Sequence, residues 1–460
     1  MNLHRYFQEV TVPVQTCVVG VGDFGRSFLA QGLRVPRMRA RIGIDLDAQA
    51  VAQVFASLGV PPERIRVCRD AGQARQAWEQ DCFIAASDLS AVLALPIDVV
   101  VEATGHPEAG ARHALMAVQA DKHVALVTKE VDSVAGPILA HLAAQRGKVV
   151  TPVDGDQPSL LIGLVSWARE LGFEIVAAGK SSEYDMVFDP ASETIESNGR
   201  RVAVPGFAPW FAPAHAAPAE AARARAELAR ALPQRAVPDL CELTVVANAT
   251  GLLPDTPALH APIARIAEVP DLLAPRERGG LLSGAGRLDV FHCLRTADQL
   301  SFAGGVFVIV RCEDRETWEM LRGKGHVLGR DASLALLYLP RHLLGLEAAT
   351  SIIAAAMGVS TGAIAPRPHV DVVARASADL PAGTVLRAYG HHHSIDDVAG
   401  EMLPAAPLGD DTPVPYYLVA DRPLRRPVAR GRYIVQADLE FDPGSVLLDL
   451  RRQQDALFFG

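Results

Sequence analysis

Thr16-Cys17-Val18-Val19-Gly20-Val21-Gly22-Asp23-Phe24-Gly25 decides how the first third of this chain is read. A short apolar run, Thr16–Val19, leads into glycines spaced G-x-G-x-x-G, and a helix-like stretch comes next. In a strand–turn–helix unit the three glycines have separate tasks. Gly20 permits the tight turn, Gly22 lets a pyrophosphate approach the backbone, and Gly25 lets helix and strand pack closely. The free N–H groups and dipole at the helix N-terminus favour an anion there. Val21, Asp23 and Phe24 complete the loop. The next apolar run, Ala40–Ile44, ends at Asp45, about 20 residues beyond Gly25, where a carboxylate can bind both hydroxyls of an adenosine ribose. These residues predict a site for NAD or NADP, with Asp45 favouring NAD. Arg39 and Arg41 lie close enough in sequence to admit a 2′-phosphate, and Asp45 with Asp47 can instead be read as caps of the following helix.

Outward from that stretch, apolar runs alternate with helical ones as far as Thr151. Asp98–Glu102, His123–Val127 and Lys148–Val153 read as further strands, and Glu108–Ala120 and Val134–Gln145 as helices. Valine-rich runs joined by helices imply a doubly wound parallel sheet, so the expected class is α/β with an N-terminal Rossmann domain over 1–155. A helix-like Pro158–Leu171 and a strand-like Phe173–Ala178 open an α+β middle domain, 156–364, for substrate and oligomerisation. Within it 204–235 is Ala/Pro-rich, holds Trp210 and Phe211, and turns helical around Ala217–Ala231; a surface insertion is preferred over a lid. From Ala365, Val370–Ala374, Ser377–Thr384 and Pro415–Asp438 read as short strands broken by Pro, Gly and Asp, a small β-rich domain over 365–460.

Loops after the carboxyl ends of parallel strands line the ligand crevice. Glu102-Ala103-Thr104-Gly105-His106-Pro107 is such a loop, and Thr104 and Gly105 are candidates to contact the nicotinamide half of the cofactor. Three later runs end in charge: Lys129 follows Val124–Thr128, Asp154-Gly155-Asp156 follows Val149–Val153, and Lys180 follows Phe173–Gly179. Ketone reduction or alcohol oxidation needs a group that moves the hydroxyl proton, and a lysine with a pKa lowered by burial, or one relayed through Asp or water, can do this. Lys129 is assigned that task, Lys180 the binding of an anion or alkoxide, and Asp156 the orientation of its partner; the two lysines can exchange roles. His391-His392-His393 reads as a polar loop tip and Glu183-Tyr184-Asp185 as solvated loop, so no metal site is expected. His342, before the apolar stretch Leu343–Met357, reads as a packed or capping histidine.

The 460 residues carry a net charge of −9, which argues against a nucleic-acid partner. Six scattered cysteines without a CxxC pair suit a reducing compartment. Neither an apolar signal core nor an uncharged apolar run of about 18 residues is present, so no membrane is expected and the location expected is cytoplasmic. Leu343–Met357 is apolar enough to bury a face between subunits, and a homo-oligomer acting on a small-molecule substrate is expected.

Gly20–Gly25, Val100–Gly105 and His123–Lys129 together resemble the nucleotide-binding domain of homoserine dehydrogenases. Val153–Pro158, Ala177–Lys180, Ala247–Leu252, Leu337-Tyr338, Pro340, His342-Leu343 and Gly345–Glu347 resemble a narrower group, homoserine-dehydrogenase-like oxidoreductases with a C-terminal SAF domain. That group includes the deoxyxylulose-phosphate-reductoisomerase-like (DRL) enzymes. Ala374, Leu380–Thr384, Pro415-Tyr416, Leu424, Gly431 and Asp438 are similar to the SAF domain. The resemblance implies an NAD(P)-dependent oxidoreductase acting on a CH–OH group of a small anionic hydroxylated or phosphorylated substrate, with Lys129 in proton transfer and reductoisomerase chemistry within reach. Where the narrower group carries Asp-Gly-Thr-Lys, this chain reads Val237-Pro238-Asp239-Leu240-Cys241-Glu242. A changed substrate pocket on a kept cofactor domain would produce that departure. Homoserine dehydrogenase proper is an alternative, although Asp154-Gly155-Asp156 stands where that family has Asn-Gly-Thr. A non-catalytic nucleotide sensor or scaffold is another.

Overall fold

A computed structural model describes residues 7–213, 216–390 and 393–460. Strands β1 (Val14–Val19), β2 (Met38–Ile44), β3 (Ile65–Cys68), β4 (Phe83–Ala86), β5 (Val99–Glu102), β6 (His123–Leu126) and β7 (Val150–Pro152) form one parallel sheet in the order β3-β4-β2-β1-β5-β6-β7. Helices α1 (Asp23–Gly32), α2 (Ala48–Ser57), α3 (Ala71–Glu79), α4 (Pro107–Gln119) and α5 (Lys129–Gln145) join them. This is the expected α/β class. The chain winds away from β1 in both directions, so β1 and β5 flank the switch point where a ligand crevice opens. The expectation omitted β3 and β4. Each has only four residues, and β3 is an edge strand with two exposed positions, too short and too polar to show a period.

A mixed ten-stranded sheet comes after α6 (Gln157–Glu170). Its strands are β8 (Ile175–Ser181), β9 (Met186–Asp189), β10 (Thr194–Ser197), β11 (Arg200–Ala203), β12 (Leu253–Pro254), β13 (Ile263–Ala264), β14 (Arg287–Arg295), β15 (Val306–Arg311), β16 (Val327–Leu328) and β17 (Leu334–Leu339). The main path runs β11-β10-β9-β14-β8-β15-β17-β16. Helix α7 (Pro218–Leu228) lies in the Ala/Pro-rich stretch, which is packed rather than loose. Arg225 is 1% exposed and forks onto Glu268 at 2.8 and 2.9 Å, while Phe207, Ala229 and Leu232 share a core with Met186, Phe188 and Ile195. Helix α8 (Val237–Thr250) is buried almost end to end and contacts α5, α6, β14 and the C-terminal region. Helix α9 (Arg315–Gly323) lies beyond β15.

The apolar stretch around 343–357 is a turn followed by α10 (Ala349–Ala356). Ile352, Ile353, Ala354 and Ala355 are buried against the Rossmann sheet of the same chain, so the apolar face of this helix is filled within the chain, while Leu343, Leu344 and Leu346 of the preceding turn stay exposed. In the C-terminal region β18 (Val370–Ala376) pairs with β21 (Val398–Pro404), and β19 (Ala388–Tyr389) with β20 (Ser394–Ile395). Ser377–Thr384 and Pro415–Asp438 contribute isolated bridges and a short turn of helix instead of strands. The chain then forms a helix that the sequence reading missed, α11 (Val446–Phe458), capped by Ser445. Among the described residues no helix is long and apolar enough to cross a membrane.

Candidate active site

The three glycines of the first loop behave differently. Gly20 has φ +92°, and a Cβ there would stand 2.4 Å from the Ala103 carbonyl oxygen. A Cβ on Gly25 would stand 2.0 Å from the Gly20 oxygen, whereas one on Gly22 would meet nothing within 4 Å. Gly20 and Gly25 are therefore demanded by the fold, and Gly22 leaves open room above the backbone. Gly22 is the N-cap of α1 and supplies no side-chain cap, so first-turn N–H groups stay available to an anion. Asp45 is fixed beside this loop: Oδ2 accepts from Val21 N–H at 2.8 Å and Oδ1 from Leu46 N–H at 2.8 Å. Asp47 alone is the cap of α2.

Arg39 and Arg41 are held elsewhere. Their guanidinium groups lie 3.5 and 3.0 Å from Asp81, and that of Arg41 stacks 3.9 Å from the Trp78 ring centroid. Both lie in the first half of β2, whose rise of about 3.3 Å per residue carries the chain more than 10 Å onward before Asp45.

Across the switch point, Glu102 is fully buried and accepts the Thr104 hydroxyl at 2.6 Å. The Thr104 side chain is thereby spent inward, leaving backbone to face a ligand. Gly105 N–H donates to the Thr128 hydroxyl at 3.0 Å, and Thr128 immediately precedes Lys129. The second crevice turn is thus tied directly to the first turn of α5.

Lys129, Asp156 and Lys180 do converge. Lys129 opens α5, Asp156 is the N-cap of α6, and Lys180 lies within β8 rather than after it. Two residues that the sequence reading did not select hold them together. Glu242 on α8 accepts from the Lys129 ammonium through Oε1 and from the Lys180 ammonium through Oε2. Asp239, one turn earlier, accepts from Lys180 at 2.7 Å and from the Ser182 hydroxyl at 2.9 Å. Asp156 Oδ1 lies 3.8 Å from Lys129 Nζ. The Lys180 side chain is 2% exposed and that of Glu242 4%, whereas that of Lys129 keeps 25%, so Lys129 is the more open of the two lysines.

Burial alone would lower both lysines, but neighbouring carboxylates outweigh it. Asp156 and Glu242 hold Lys129 well above the ordinary lysine value, and Asp239 and Glu242 raise Lys180. Burial would raise Glu242, yet Lys129 and Lys180 bring it down to about 2. Neither Lys129 nor Lys180 is therefore a lysine of lowered pKa, because each ammonium is paired with carboxylate; of the two expected routes, the geometry places Asp156 for the relay. Lys180 as a direct anion binder is also corrected, since its charge is already neutralised inside the protein. Glu130, beside Lys129, is pushed up to about 7 by burial. Behind the cluster the Cys241 thiol donates to the Lys129 carbonyl at 3.3 Å, and the buried Tyr417 packs beside Cys241.

Other candidates fall away from this centre. Asp185 is buried, not solvated, and accepts from Arg295 at 2.6 Å. His342 Nδ1 is 2.8 Å from the Gly304 carbonyl, a packing role. His391 and His392 lie outside the described residues, and His393 stands near His106, their ring centroids 6.3 Å apart. Among the described residues no group of three or more His, Cys, Asp and Glu side chains is arranged to hold a metal. Asp239 and Glu242 did leave a signal: acids three apart on a helix share a face, and the flanking residues are apolar.

Residues 155–348, which contain Asp156, Lys180, Asp239 and Glu242, match the family described as oxidoreductase DRL, catalytic domain. A 102-residue stretch is 36% identical to 1-deoxy-D-xylulose 5-phosphate reductoisomerase of Rhodopirellula baltica, covering 22% of each protein. Among solved structures, a DOX-P reductoisomerase in complex with NADPH, fosmidomycin and magnesium is 17% identical with a TM-score of 0.27, covering 37% of this chain and 45% of that one. An inositol dehydrogenase homolog complexed with NAD+ from Azotobacter vinelandii is 20% identical with a TM-score of 0.26, covering 39% and 44%. The chain thus spans about a fifth of the curated relative and under half of either solved chain.

Proposed function

We propose that this chain is an NAD-dependent oxidoreductase that moves a hydride to or from a CH–OH carbon of a small polar substrate, with Lys129 handling the hydroxyl proton. The observation that carries the reading is the bond from Gly105 N–H to the Thr128 hydroxyl, which ties the start of the helix carrying Lys129, a partly exposed side chain, to the crevice whose other wall is the open backbone at Gly22.

The cofactor, when bound, supplies or accepts the hydride. Gly22 and the first turn of α1 would hold its pyrophosphate, Asp45 its adenosine ribose, and the Thr104-Gly105 backbone its nicotinamide half. In the reducing direction Lys129 enters as an ammonium. It hydrogen-bonds the substrate carbonyl oxygen and gives up a proton as the carbon receives hydride, leaving a neutral amine and an alcohol. Asp156, near the exposed side of Lys129, orients that group and helps to restore its proton from solvent. Glu242 fixes the position of the Lys129 ammonium, and Lys180 with Asp239 fixes Glu242. The placement of Arg39 and Arg41 at Asp81 supports NAD over NADP.

The stretch similar to a deoxyxylulose-phosphate reductoisomerase favours a second reading, reductoisomerase chemistry on that phosphate. The charge of the cluster favours the simpler reaction. Lys129 and Lys180 face Asp156, Asp239 and Glu242, so the group offers no net positive charge to a phosphate. Spectrophotometric assays of NADH and NADPH oxidation, with hydroxy-acid, polyol and deoxyxylulose-phosphate panels, test both readings. Turnover with NADH that is lost in Lys129→Ala supports the proposal. NADPH-dependent turnover of deoxyxylulose phosphate establishes the second reading, and undiminished turnover in Lys129→Ala overturns the proton-transfer role.

A further inference from the structure

The C-terminal region lies against the cofactor crevice as well as behind the lysines. The β19–β20 hairpin is anchored by the buried Tyr416, whose hydroxyl accepts from Ile395 N–H at 2.9 Å, and by Asp421, which accepts from Ala388 N–H at 3.2 Å. Its tip residue His393 adopts φ +47°, a left-handed turn conformation. The imidazole comes to rest on the second crevice turn: Nε2 would be 3.8 Å from a Cβ built on Gly105, and the ring meets His106 edge-on. His106 is already engaged, its Nδ1 accepting from Ala109 N–H at 3.3 Å as the cap of α4. Gly105 is the residue bonded to Thr128, next to Lys129.

We propose that His393 is a cofactor-binding residue: the C-terminal hairpin supplies one wall of the dinucleotide site, and the His393 imidazole hydrogen-bonds the nicotinamide riboside half. A histidine suits this place because it offers an N–H to a ribose hydroxyl or carboxamide oxygen and an apolar ring edge to the nicotinamide. The contact is made from a part of the chain distant in sequence from the fingerprint, so the C-terminal region acts in ligand recognition and not only in stability. This inference rests on the dinucleotide reading above.

The test separates the two halves of the ligand. NADH and ADP are titrated by calorimetry into full-length wild type, His393→Ala and His393→Gln. ADP reports the Gly22 and Asp45 half, and NADH reports both halves. The expected result is that His393→Ala weakens NADH about fivefold or more and leaves ADP unchanged, with His393→Gln recovering part of the loss through its amide donor. Unchanged NADH affinity in His393→Ala overturns the inference, as does a parallel loss of ADP affinity. Wild type that binds neither ligand overturns the cofactor reading itself.

Discussion

Glu242 sits between two ammonium groups, so removing its charge disturbs both. Glu242→Gln leaves Lys180 with Asp239 and Lys129 with only the longer contact to Asp156. Breaking a buried pair in this way costs about 3–5 kcal/mol, measurable as a fall in the denaturant midpoint, and kcat/KM is expected to drop about a hundredfold or more. The pH dependence has a definite sign. Glu242 is held down at about 2 from an ordinary 4.5, so its stabilisation is complete above pH 4.5 and lost as the pH falls through 2. Glu130 acts oppositely. Raised from 4.5 to about 7, it keeps its proton in the fold while the unfolded chain releases it, so stability declines as the pH rises from 4.5 to 7. Glu130→Gln is therefore expected to melt higher than wild type at pH 8, with the gap closing towards pH 5; a pH-independent gap would contradict this. Lys129 and Asp156 were legible in the sequence because each stands just past the end of an apolar run. Asp239 and Glu242 left a weaker signal: they share a face and have apolar flanks, but acids in a helix ordinarily read as a solvated face until packing such as that of α8 shows otherwise.

Helix α5 carries Lys129 on its first turn and survives a proline in its middle. Pro137 lacks an N–H, and one residue on, a side chain from another helix bonds the backbone at Ile138 and Val134. Gln454 of α11 accepts from Ile138 N–H at 3.3 Å and donates to the Val134 carbonyl at 3.1 Å. Gln454→Leu removes a buried hydrogen-bond partner from both backbone groups and is expected to cost about 1–3 kcal/mol, read in the denaturant midpoint; an unchanged midpoint would show that the helix satisfies them by itself. The glycine loop gives a sharper contrast. Gly22→Ala meets open space and is expected to fold with wild-type melting behaviour while losing dinucleotide affinity. Gly25→Ala collides with the Gly20 carbonyl and is expected to destabilise the domain itself. Equal binding by wild type and Gly22→Ala would contradict the cofactor reading. Elements with both a period and a cap, such as α4 and α6, were legible to within a few residues. Short strands such as β3, and α11 beyond a Pro/Gly-rich tract, were not, because tertiary contacts rather than local pattern select them.

One large core joins the three regions: Leu126 and Val131, Leu240 and Leu288, and Val372, Tyr417 and Leu447 all belong to it. Arg451, fully buried, pairs with Asp371 at 2.7 Å and with Asp455 at 2.7 Å, and Glu108 of α4 accepts from the Ser445 hydroxyl and the Val446 N–H, both at 2.7 Å. A chain ending at residue 364 would expose that surface, and it is expected to be insoluble or to lack a cooperative unfolding transition. A soluble, cooperatively folding truncation would show that the regions are independent. The three regions read from composition therefore share one core. The proposed nicotinamide site, in which Asp45 selects NAD, is tested by equilibrium titration of NADH and NADPH into wild type and Asp45→Ala. NADH is expected to bind at least about tenfold tighter than NADPH, with that preference lost in the variant. NADPH preference that survives the substitution, or no binding of either, would contradict it.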